Sequence, residues 1–322
     1  MRSCLKLLTR LVMHLMHWTL LLLAMLFAPA GQAASKQVLV VLSEHTTPYK
    51  ETAKALTQGL ARAVSNGKLG LQVLLVDDPK WLLLSMQADT LLVPLGPKSA
   101  MAMANMKRPI LAGLLTRQSF EQYFVLGATQ HQQASALYLE QALERYVQLV
   151  LSVQPQAKTL GVLFGPEQIA SQPVLLELAR QNAISLHSAH LHQRSEMFAA
   201  LGQLLPTVEV LLLLPDAMVV HPESVRSLML SALRQQVPTM AYSSDLVAAG
   251  ALAAVFSTPQ QSGQELAEMI QSLLPGKSWK PVPSAYPKYF TIQTNANVAR
   301  SLKISLPEKV LSGQALAPRT GW

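Results

Sequence analysis

The sequence predicts an α/β fold with two similar lobes, each built on a parallel central sheet. Apolar runs of about four to eight residues alternate with amphipathic stretches along the chain, which is typical of buried parallel strands separated by helices. One such series ends near Leu151, and a second begins at Ala157. Because 322 residues are enough for two domains, we interpret the two series as two lobes.

Each predicted strand is an apolar run that ends at polar or turn-forming residues. The first series has strands at 37–42, 70–76, 90–95 and 109–115, with helices at 48–66, 81–86 and 132–151. The second has strands at 159–164, 185–190, 208–214 and 239–241, with helices at 172–182, 196–205 and 221–236. A strand at 289–293 and a helix at 296–302 follow the proline-rich stretch 275–287. In such sheets, ligands bind beyond the carboxyl ends of the strands.

The first 33 residues have the pattern of a secretory signal peptide. A basic start precedes an apolar middle and a small-residue exit, and we place the cleavage after Ala33. The alternative is an uncleaved membrane anchor, since 11–30 approaches the length of a spanning helix. His14 and His17 interrupt that run, which favours cleavage.

The chain that remains after cleavage has no cysteine and a small positive net charge. Cys4 lies in the presequence, so the mature chain has no thiol and no disulfide, which suits an oxidising compartment. Removing Arg2, Lys6 and Arg10 from the 26 Lys and Arg leaves 23 against 18 Asp and Glu, a net charge of +5. The chain lacks the Lys/Arg-rich block of a nucleic-acid surface, so we expect no nucleic-acid partner.

Polar residues follow two neighbouring predicted strands of the second lobe. Asp216 follows 208–214, and Ser243, Ser244 and Asp245 follow 239–241. We interpret this edge as a small-molecule site. Either aspartate could bind an ammonium or cap the helix that follows it; ligand contact is favoured for Asp216, and capping or hinge geometry for Asp245.

The predicted strand ends of the first lobe supply further candidates. Gly96, Lys98 and Ser99 open a helix beside a proline, which offers amide donors to an anion or forms an ordinary helix start. Arg117 could clamp a carboxylate or be an exposed structural arginine. His45, after the first strand, is a candidate contact.

The loop after the first strand of the second lobe combines an aromatic ring with a carboxylate. Phe164, Gly165 and Glu167 suit an amino group on a flat ligand, although Phe164 could pack in the core.

Motifs for metal binding and catalysis give weaker signals. Three histidines lie close together, but side chains alternate along a strand, so only two share a face and a metal is not favoured: His187, His190 and His192. The sequence contains no nucleophile elbow, zinc-protease motif or dinucleotide fingerprint, so we expect neither an enzyme nor a cofactor.

Several segments together resemble a known family. They are AKTLGVLFGP at 157–166 with Glu167 and Ser171, the segment 237–254 ending in AGALAA, and Asn295 before the last helix. This set is similar to the periplasmic substrate-binding proteins of ABC transporters, in the subfamily with tryptophan- and tyrosine-type binders. The first lobe diverges, since Gly96-Pro97-Lys98-Ser99 stands where the family has a Gly-Thr-Pro-like turn.

The resemblance implies a type I periplasmic binding protein fold, with two Rossmann-like lobes joined by a three-crossing hinge. We divide the chain into signal peptide 1–33, lobe 1 at 35–127 plus 257–282, lobe 2 at 129–255 plus 284–310, and a tail at 311–322. The crossings are expected near 126–129, 254–257 and 281–287. The resemblance also adds Ser171 to the expected ligand contacts.

By the same resemblance, we expect a monomer in the periplasm that captures a small molecule by closing its lobes. An amino acid or a related anion is the first expectation for the ligand, and an inner-membrane ABC permease for the partner. The alternative keeps the fold but makes the protein a ligand sensor that acts on a membrane signalling partner.

Overall fold

A computed structural model describes residues 36–126, 133–276, 278–280 and 282–311. The predicted signal peptide, residues 127–129 of the first predicted crossing, and the tail after residue 311 lie outside the described residues. Within the described ranges, no helix has the length and apolar character needed to cross a membrane.

The described strands form two sheets, which are the cores of two lobes. The first sheet has the order β2-β1-β3-β4-β5 and is entirely parallel. Its strands are β1 (Lys36–Leu42), β2 (Leu69–Leu75), β3 (Thr90–Leu95), β4 (Ile110–Leu115) and β5 (Ala134–Tyr138). The predicted fold class, α/β with parallel sheets in two lobes, is confirmed.

The second sheet has the order β11-β10-β9-β8-β6-β7, and only its edge strand β11 runs antiparallel among the described strands. Its strands are β6 (Thr159–Phe164), β7 (Ser185–His190), β8 (Val210–Leu212), β9 (Thr239–Ala241), β10 (Ala253–Phe256) and β11 (Thr291–Thr294). Sequence reasoning missed β10, because its apolar residues were interpreted as part of a crossing.

Helices cover both faces of the sheets. In chain order they are α1 (Thr47–Ser65), α2 (Lys80–Ser85), α3 (Pro97–Met103), α4 (Arg117–Phe120), α5 (Leu143–Val153), α6 (Gln172–Gln181), α7 (Met197–Leu204), α8 (Val225–Arg234), α9 (Ser244–Ala249), α10 (Pro259–Leu273), α11 (Ala296–Ser301) and α12 (Glu308–Leu311). The helix predicted at 221–236 is shorter at its start, because a turn precedes Val225.

The helix predicted at 132–151 is wrong. Its first part is strand β5, which pairs with β4, and only its second part is helical, in α5. Ala136 and Leu137 are both buried, but in different hydrophobic clusters on opposite faces of the sheet. Alanine has a high helix propensity, so the sequence favoured a helix, but pairing with β4 stabilises the strand.

The central strands of each sheet are buried on both faces, which explains their continuous apolar runs. In β1, Val38, Val40 and Leu42 pack in one cluster, while Leu39 and Val41 pack in another. Full burial of each such side chain contributes about 1.5–3 kcal/mol relative to exposure. Central strands such as β1 and β3 were therefore predictable from their apolar composition.

Helix α10 returns the chain from the second lobe to the first. Its start is fixed by a capping box, in which Thr258 accepts from the Gln261 N–H and the Gln261 side chain accepts from the Thr258 N–H. The helix then lies against α1 at very close range, because a Cβ at Gly263 would stand 2.2 Å from the carbonyl oxygen of Thr52. Glycine is needed there for close packing.

Within the described chain, three segments pass between the sheets: 139–142 after β5, 257–258 before α10, and 286–290 before β11. The last passage begins at Ala285, which forms a parallel bridge with Leu137 at the edge of the first sheet. The first passage follows Tyr138 because β5 belongs to the first sheet.

Candidate functional site

A cavity of about 280 Å³ lies between the two lobes. Its walls come from segments that follow β4 and β5 in the first sheet and β6 and β8 in the second, so it lies at the carboxyl ends of parallel strands. The lining residues are Arg117, Gln118, Glu121, Glu140, Gln141, Leu143, Glu144, Tyr146, Glu167, Gln168, Ala170, Ser171, Val174, Leu214, Pro215 and Tyr286. Across this cleft, Gln118 Nε2 donates to the carbonyl oxygen of Pro166 at 3.2 Å.

Glu140 presents a carboxylate oxygen that lacks a protein partner. Its Oε1 accepts from the backbone N–H of Arg117 at 2.8 Å, whereas its Oε2 is buried and has no hydrogen-bond partner among the described residues. Burial raises the pKa of Glu140 to about 7, even though the Arg117 N–H favours the ionised form. A buried carboxylate oxygen without a partner is costly, which is why burial favours the protonated form of Glu140.

Arg117 already has protein partners on the same wall. Its Nε donates to Glu121 Oε1 at 2.7 Å. Hydrogen bonds to Tyr286 and to Glu121 raise the pKa of Arg117 above its usual value. The guanidinium is therefore paired with a neighbouring carboxylate inside its own lobe.

Asp216 organises the opposite wall. Its buried carboxylate accepts three backbone N–H bonds, from Glu167 at 3.0 Å, from Gln168 at 3.2 Å and from Met218 at 2.9 Å. A Cβ at Gly165 would stand 2.2 Å from Asp216 Oδ1, so the loop after β6 can approach this carboxylate only with glycine there. Asp216 lies outside the cavity lining and holds that loop in place.

The loop held by Asp216 supplies four cavity residues, Glu167, Gln168, Ala170 and Ser171. Gln168 Nε2 donates to the carbonyl oxygen of Pro215 at 3.0 Å, and Ser171 Oγ donates to Gln168 Oε1 at 2.9 Å. Burial and the neighbouring Asp216 charge raise the pKa of Glu167. Glu167 thus reaches the cavity from a loop that several hydrogen bonds hold in place.

The cavity contains three of the residues that the sequence proposed for ligand contact, Arg117, Glu167 and Ser171. Phe164 is buried in a hydrophobic cluster, and its ring lies 6.1 Å from that of His190. Ser243 caps α9 by accepting from the Leu246 N–H, Ser244 is half-buried, and Asp245 is exposed in the first turn.

The first-lobe candidates other than Arg117 lie outside the cavity lining. Lys98 pairs with Asp77 at 2.9 Å, and both side chains are largely exposed. The Ser99 N–H donates to Ser43 Oγ at 2.9 Å in a buried contact. Gly96, with a φ of 92°, begins α3 where a Cβ would stand 2.5 Å from the Tyr49 ring, and His45 is exposed.

Sequence reasoning missed the acidic residues near the first passage between the lobes. Glu140 and Glu144 fall within the stretch predicted as one helix, and Glu121 follows Arg117 by one turn. The available signal was the pair of glutamates at positions 140 and 144. It was missed because both fell inside the helix wrongly predicted at 132–151. Tyr286 reaches the site only because the last passage folds back beside β5.

The histidines of β7 have other partners. His187 Nδ1 pairs with Thr207 Oγ1 at 3.0 Å, and His190 Nε2 pairs with Gln172 Oε1 at 2.8 Å. Within the ranges that the structure describes, no group of three or more potential metal ligands comes together.

Comparisons with known proteins agree with this architecture. The family described as ABC transporter substrate binding protein matches residues 137–316. No curated protein matches the chain significantly.

Solved structures show the same fold at low sequence identity. A ligand-free, open substrate-binding protein with adhesive properties from Clostridium difficile has a TM-score of 0.67 and 19% identity, covering 84% of this chain and 96% of that one. An ABC domain in complex with L-Trp from Streptococcus pneumonia has a TM-score of 0.60 and 16% identity, covering 87% and 98%. A conserved domain protein from Vibrio cholerae has a TM-score of 0.60 and 19% identity, covering 86% and 98%.

The family match covers more than half of the chain, and the two-lobed architecture with a cavity between the lobes is consistent with it. Members of this family are solute-binding components of transporters and not enzymes. The chain belongs to the ABC transporter substrate-binding protein family.

Proposed function

We propose that this protein captures a small solute in the cavity between its lobes and delivers it to an ABC permease in the inner membrane. The observation that carries the proposal is the cavity itself, which is lined from the strand ends of both sheets. The signal-peptide pattern at 1–33 supports export to the periplasm.

Capture proceeds by closure of the lobes around the solute. The proposed lobes are 36–138 plus 259–285 and 139–256 plus 286–311, which keeps β5 with the sheet that it pairs with. A solute that contacts Gln118 on one side and Gln168 on the other binds the closed form better than the open form. Such differential affinity shifts the population toward closure.

The closed form is then recognised at the membrane. In our proposal, an ABC permease binds the closed form. The solute-binding protein itself acts as a monomer. Co-purification with a membrane signalling protein in place of a permease would favour the sensor function instead.

A thermal-shift screen of residues 34–322 tests solute capture. The panel contains amino acids, amines, nucleosides and small anions, each at millimolar concentration. A ligand at 100 times its Kd stabilises the protein by about 2.7 kcal/mol through mass action, which raises the melting temperature measurably. We expect at least one such ligand.

Two variants test whether the ligand binds in the cavity between the lobes. Ala170 is exposed in the cavity wall, and Ala170→Trp should fill the cavity and abolish the shift. Ala248 is exposed on α9 outside the cavity lining, so Ala248→Trp should leave the shift unchanged. A panel without any stabilising ligand, or a shift that Ala170→Trp does not reduce, would contradict the proposal.

A further inference from the structure

One hydrogen bond crosses the cleft directly between strand-end loops of the two lobes. Gln118 Nε2 donates to the carbonyl oxygen of Pro166 at 3.2 Å. Gln118 lies in α4, after β4 of the first sheet, and Pro166 follows β6 of the second sheet. Because a carbonyl oxygen only accepts, the contact requires a side chain with a donor at position 118.

The other described hydrogen bonds between the lobes involve the three passages or the residues beside them. For example, the Lys288 N–H in the third passage donates to Glu265 Oε2 of α10 at 3.0 Å. The passages connect the lobes in every arrangement of the cleft, so contacts there do not require closure. The contact between Gln118 and Pro166 forms only when the two loops approach each other.

The backbone that carries Gln118 is held in place on the first lobe. Thr116 caps α4, since its Oγ1 accepts from the Ser119 N–H at 3.2 Å. The Arg117 N–H donates to Glu140 Oε1 at 2.8 Å. The Gln118 side chain therefore extends toward the second lobe from a helical turn that is fixed on both sides of it.

The acceptor on the second lobe is held as well. The Gly165 carbonyl oxygen accepts from the Gln168 N–H at 3.2 Å, and the Asp216 carboxylate accepts from the N–H groups of Glu167 and Gln168. The proline ring fixes φ at position 166. Among the described contacts, the Pro166 carbonyl oxygen accepts only from the first lobe. The donor and the acceptor are thus both positioned before they meet.

We propose that Gln118 is a latch residue, which stabilises the closed arrangement of the lobes through the Pro166 carbonyl independently of any solute. The latch lies at the edge of the cavity, since Gln118 lines it and Pro166 does not. The protein itself then supplies part of the free energy of closure, so a solute binds more tightly than it would to a cleft without the latch. The inference goes beyond the proposed function, because it concerns the cleft before a solute enters.

The strength of the latch follows from its exposure. Gln118 and Pro166 are both exposed, so water competes for the same groups. The net contribution of one such hydrogen bond corresponds to about a fivefold change in the ratio of closed to open protein. A contact of this size favours closure and still allows the cleft to open and release its solute.

Pulsed electron paramagnetic resonance without added ligand tests the latch. Residues 34–322 carry spin labels at Lys98→Cys and Asp245→Cys, and the protein is refolded from guanidinium chloride to remove any co-purified solute. Gln118→Met keeps a neutral side chain of similar length but removes the donor. We expect the ratio of the distance component that this structure gives to any longer component to fall about fivefold. Gln122→Met is the control, because Gln122 is exposed after α4 and lies outside the cavity lining.

Three results would overturn the latch. They are an unchanged ratio in Gln118→Met, an equal fall in Gln122→Met, and an unsubstituted protein that lacks the distance component of this structure. None of them bears on solute capture, which the thermal-shift screen tests separately. Conversely, a screen without any stabilising ligand would contradict solute capture and leave the distance measurement valid.

Discussion

Gln141 and Ser257 join two of the passages between the lobes, since Gln141 Nε2 donates to Ser257 Oγ at 2.9 Å. The Ser257 hydroxyl donates in turn to the carbonyl oxygen of Tyr289 at 2.6 Å, in the third passage. Arg145 adds a further tie by donating to the carbonyl oxygen of Pro287 at 2.7 Å. Hydrogen bonds therefore link the three connections to one another.

Removal of the Ser257 hydroxyl should weaken the hydrogen-bonded link among the three passages. Ser257→Ala loses two hydrogen bonds, so we expect the free energy of unfolding to fall by about 2 kcal/mol. Urea denaturation followed by circular dichroism measures the change. Ser272→Ala is the control, because the Ser272 hydroxyl is exposed and bonds only within α10. Equal stabilities of the two variants would contradict the role of Ser257.

Asp216 should matter for stability as well as for ligand binding. Asp216→Ala leaves three backbone N–H groups without their carboxylate, so we expect a loss of about 3 kcal/mol in the free energy of unfolding. The loop that carries Glu167 should also become more susceptible to proteolysis. Asp245→Ala, at an exposed helix start, should cost less than about 1 kcal/mol. A fully stable Asp216→Ala variant would refute this account of the loop.

The raised pKa of Glu140 predicts a pH dependence of stability. Because the folded-state pKa, about 7, exceeds the usual value of 4.5, the folded protein binds the proton more tightly than the unfolded chain. The contribution of Glu140 to the free energy of unfolding is therefore fully present below about pH 4.5 and is lost as the pH rises toward 7. The groups facing Glu140 are the Arg117 guanidinium, Glu121 and Tyr146.

Denaturation at pH 5 and pH 8 checks this dependence. The native protein should lose more stability over this interval than Glu140→Gln, by at most about 3 kcal/mol, since one pKa unit corresponds to 1.36 kcal/mol. Other carboxyl groups with raised pKa values, such as Glu265, contribute equally to both proteins and cancel. The same pH dependence in both proteins would contradict the buried environment of Glu140.

The contact between α1 and α10 gives a prediction for glycine substitution. Gly263→Ala places a methyl group 2.2 Å from the Thr52 carbonyl oxygen, so we expect a loss of about 2–3 kcal/mol and a lower melting temperature. Gly202→Ala in α7 has open space around its Cβ, so it should stabilise the protein by about 0.5–1 kcal/mol. Effects of the same sign at both positions would contradict this packing.

Much of the fold was predictable, because buried parallel strands have an unmistakable composition. The strand at 239–241 and the strand at 90–95 have the predicted bounds. Strand β5 was not predictable in the same way, since its identity depends on pairing with β4 more than on its own residues. The first passage between the sheets therefore lies at 139–142 and not near 126–129, whereas the other two lie close to their predicted positions.

The candidate site was predictable only in part. Arg117, Glu167 and Ser171 line the cavity because each comes after the carboxyl end of a strand, the rule that nominated them. Tyr286 and Glu140 line the same cavity because Ala285 bridges to Leu137, a contact across 148 residues that no local pattern encodes. Asp216 follows a strand as expected, but its carboxylate accepts from three backbone N–H groups and does not line the cavity.

A distance measurement across the cleft tests closure on a solute most directly. Residues 34–322 contain no cysteine, so spin labels can be placed at Lys98→Cys and Asp245→Cys, two exposed positions after strands of opposite lobes. Pulsed electron paramagnetic resonance reports the distance between the labels with and without the tightest ligand of the panel. We predict a shorter and narrower distance distribution at saturation. An unchanged distribution with the ligand bound would contradict capture by closure.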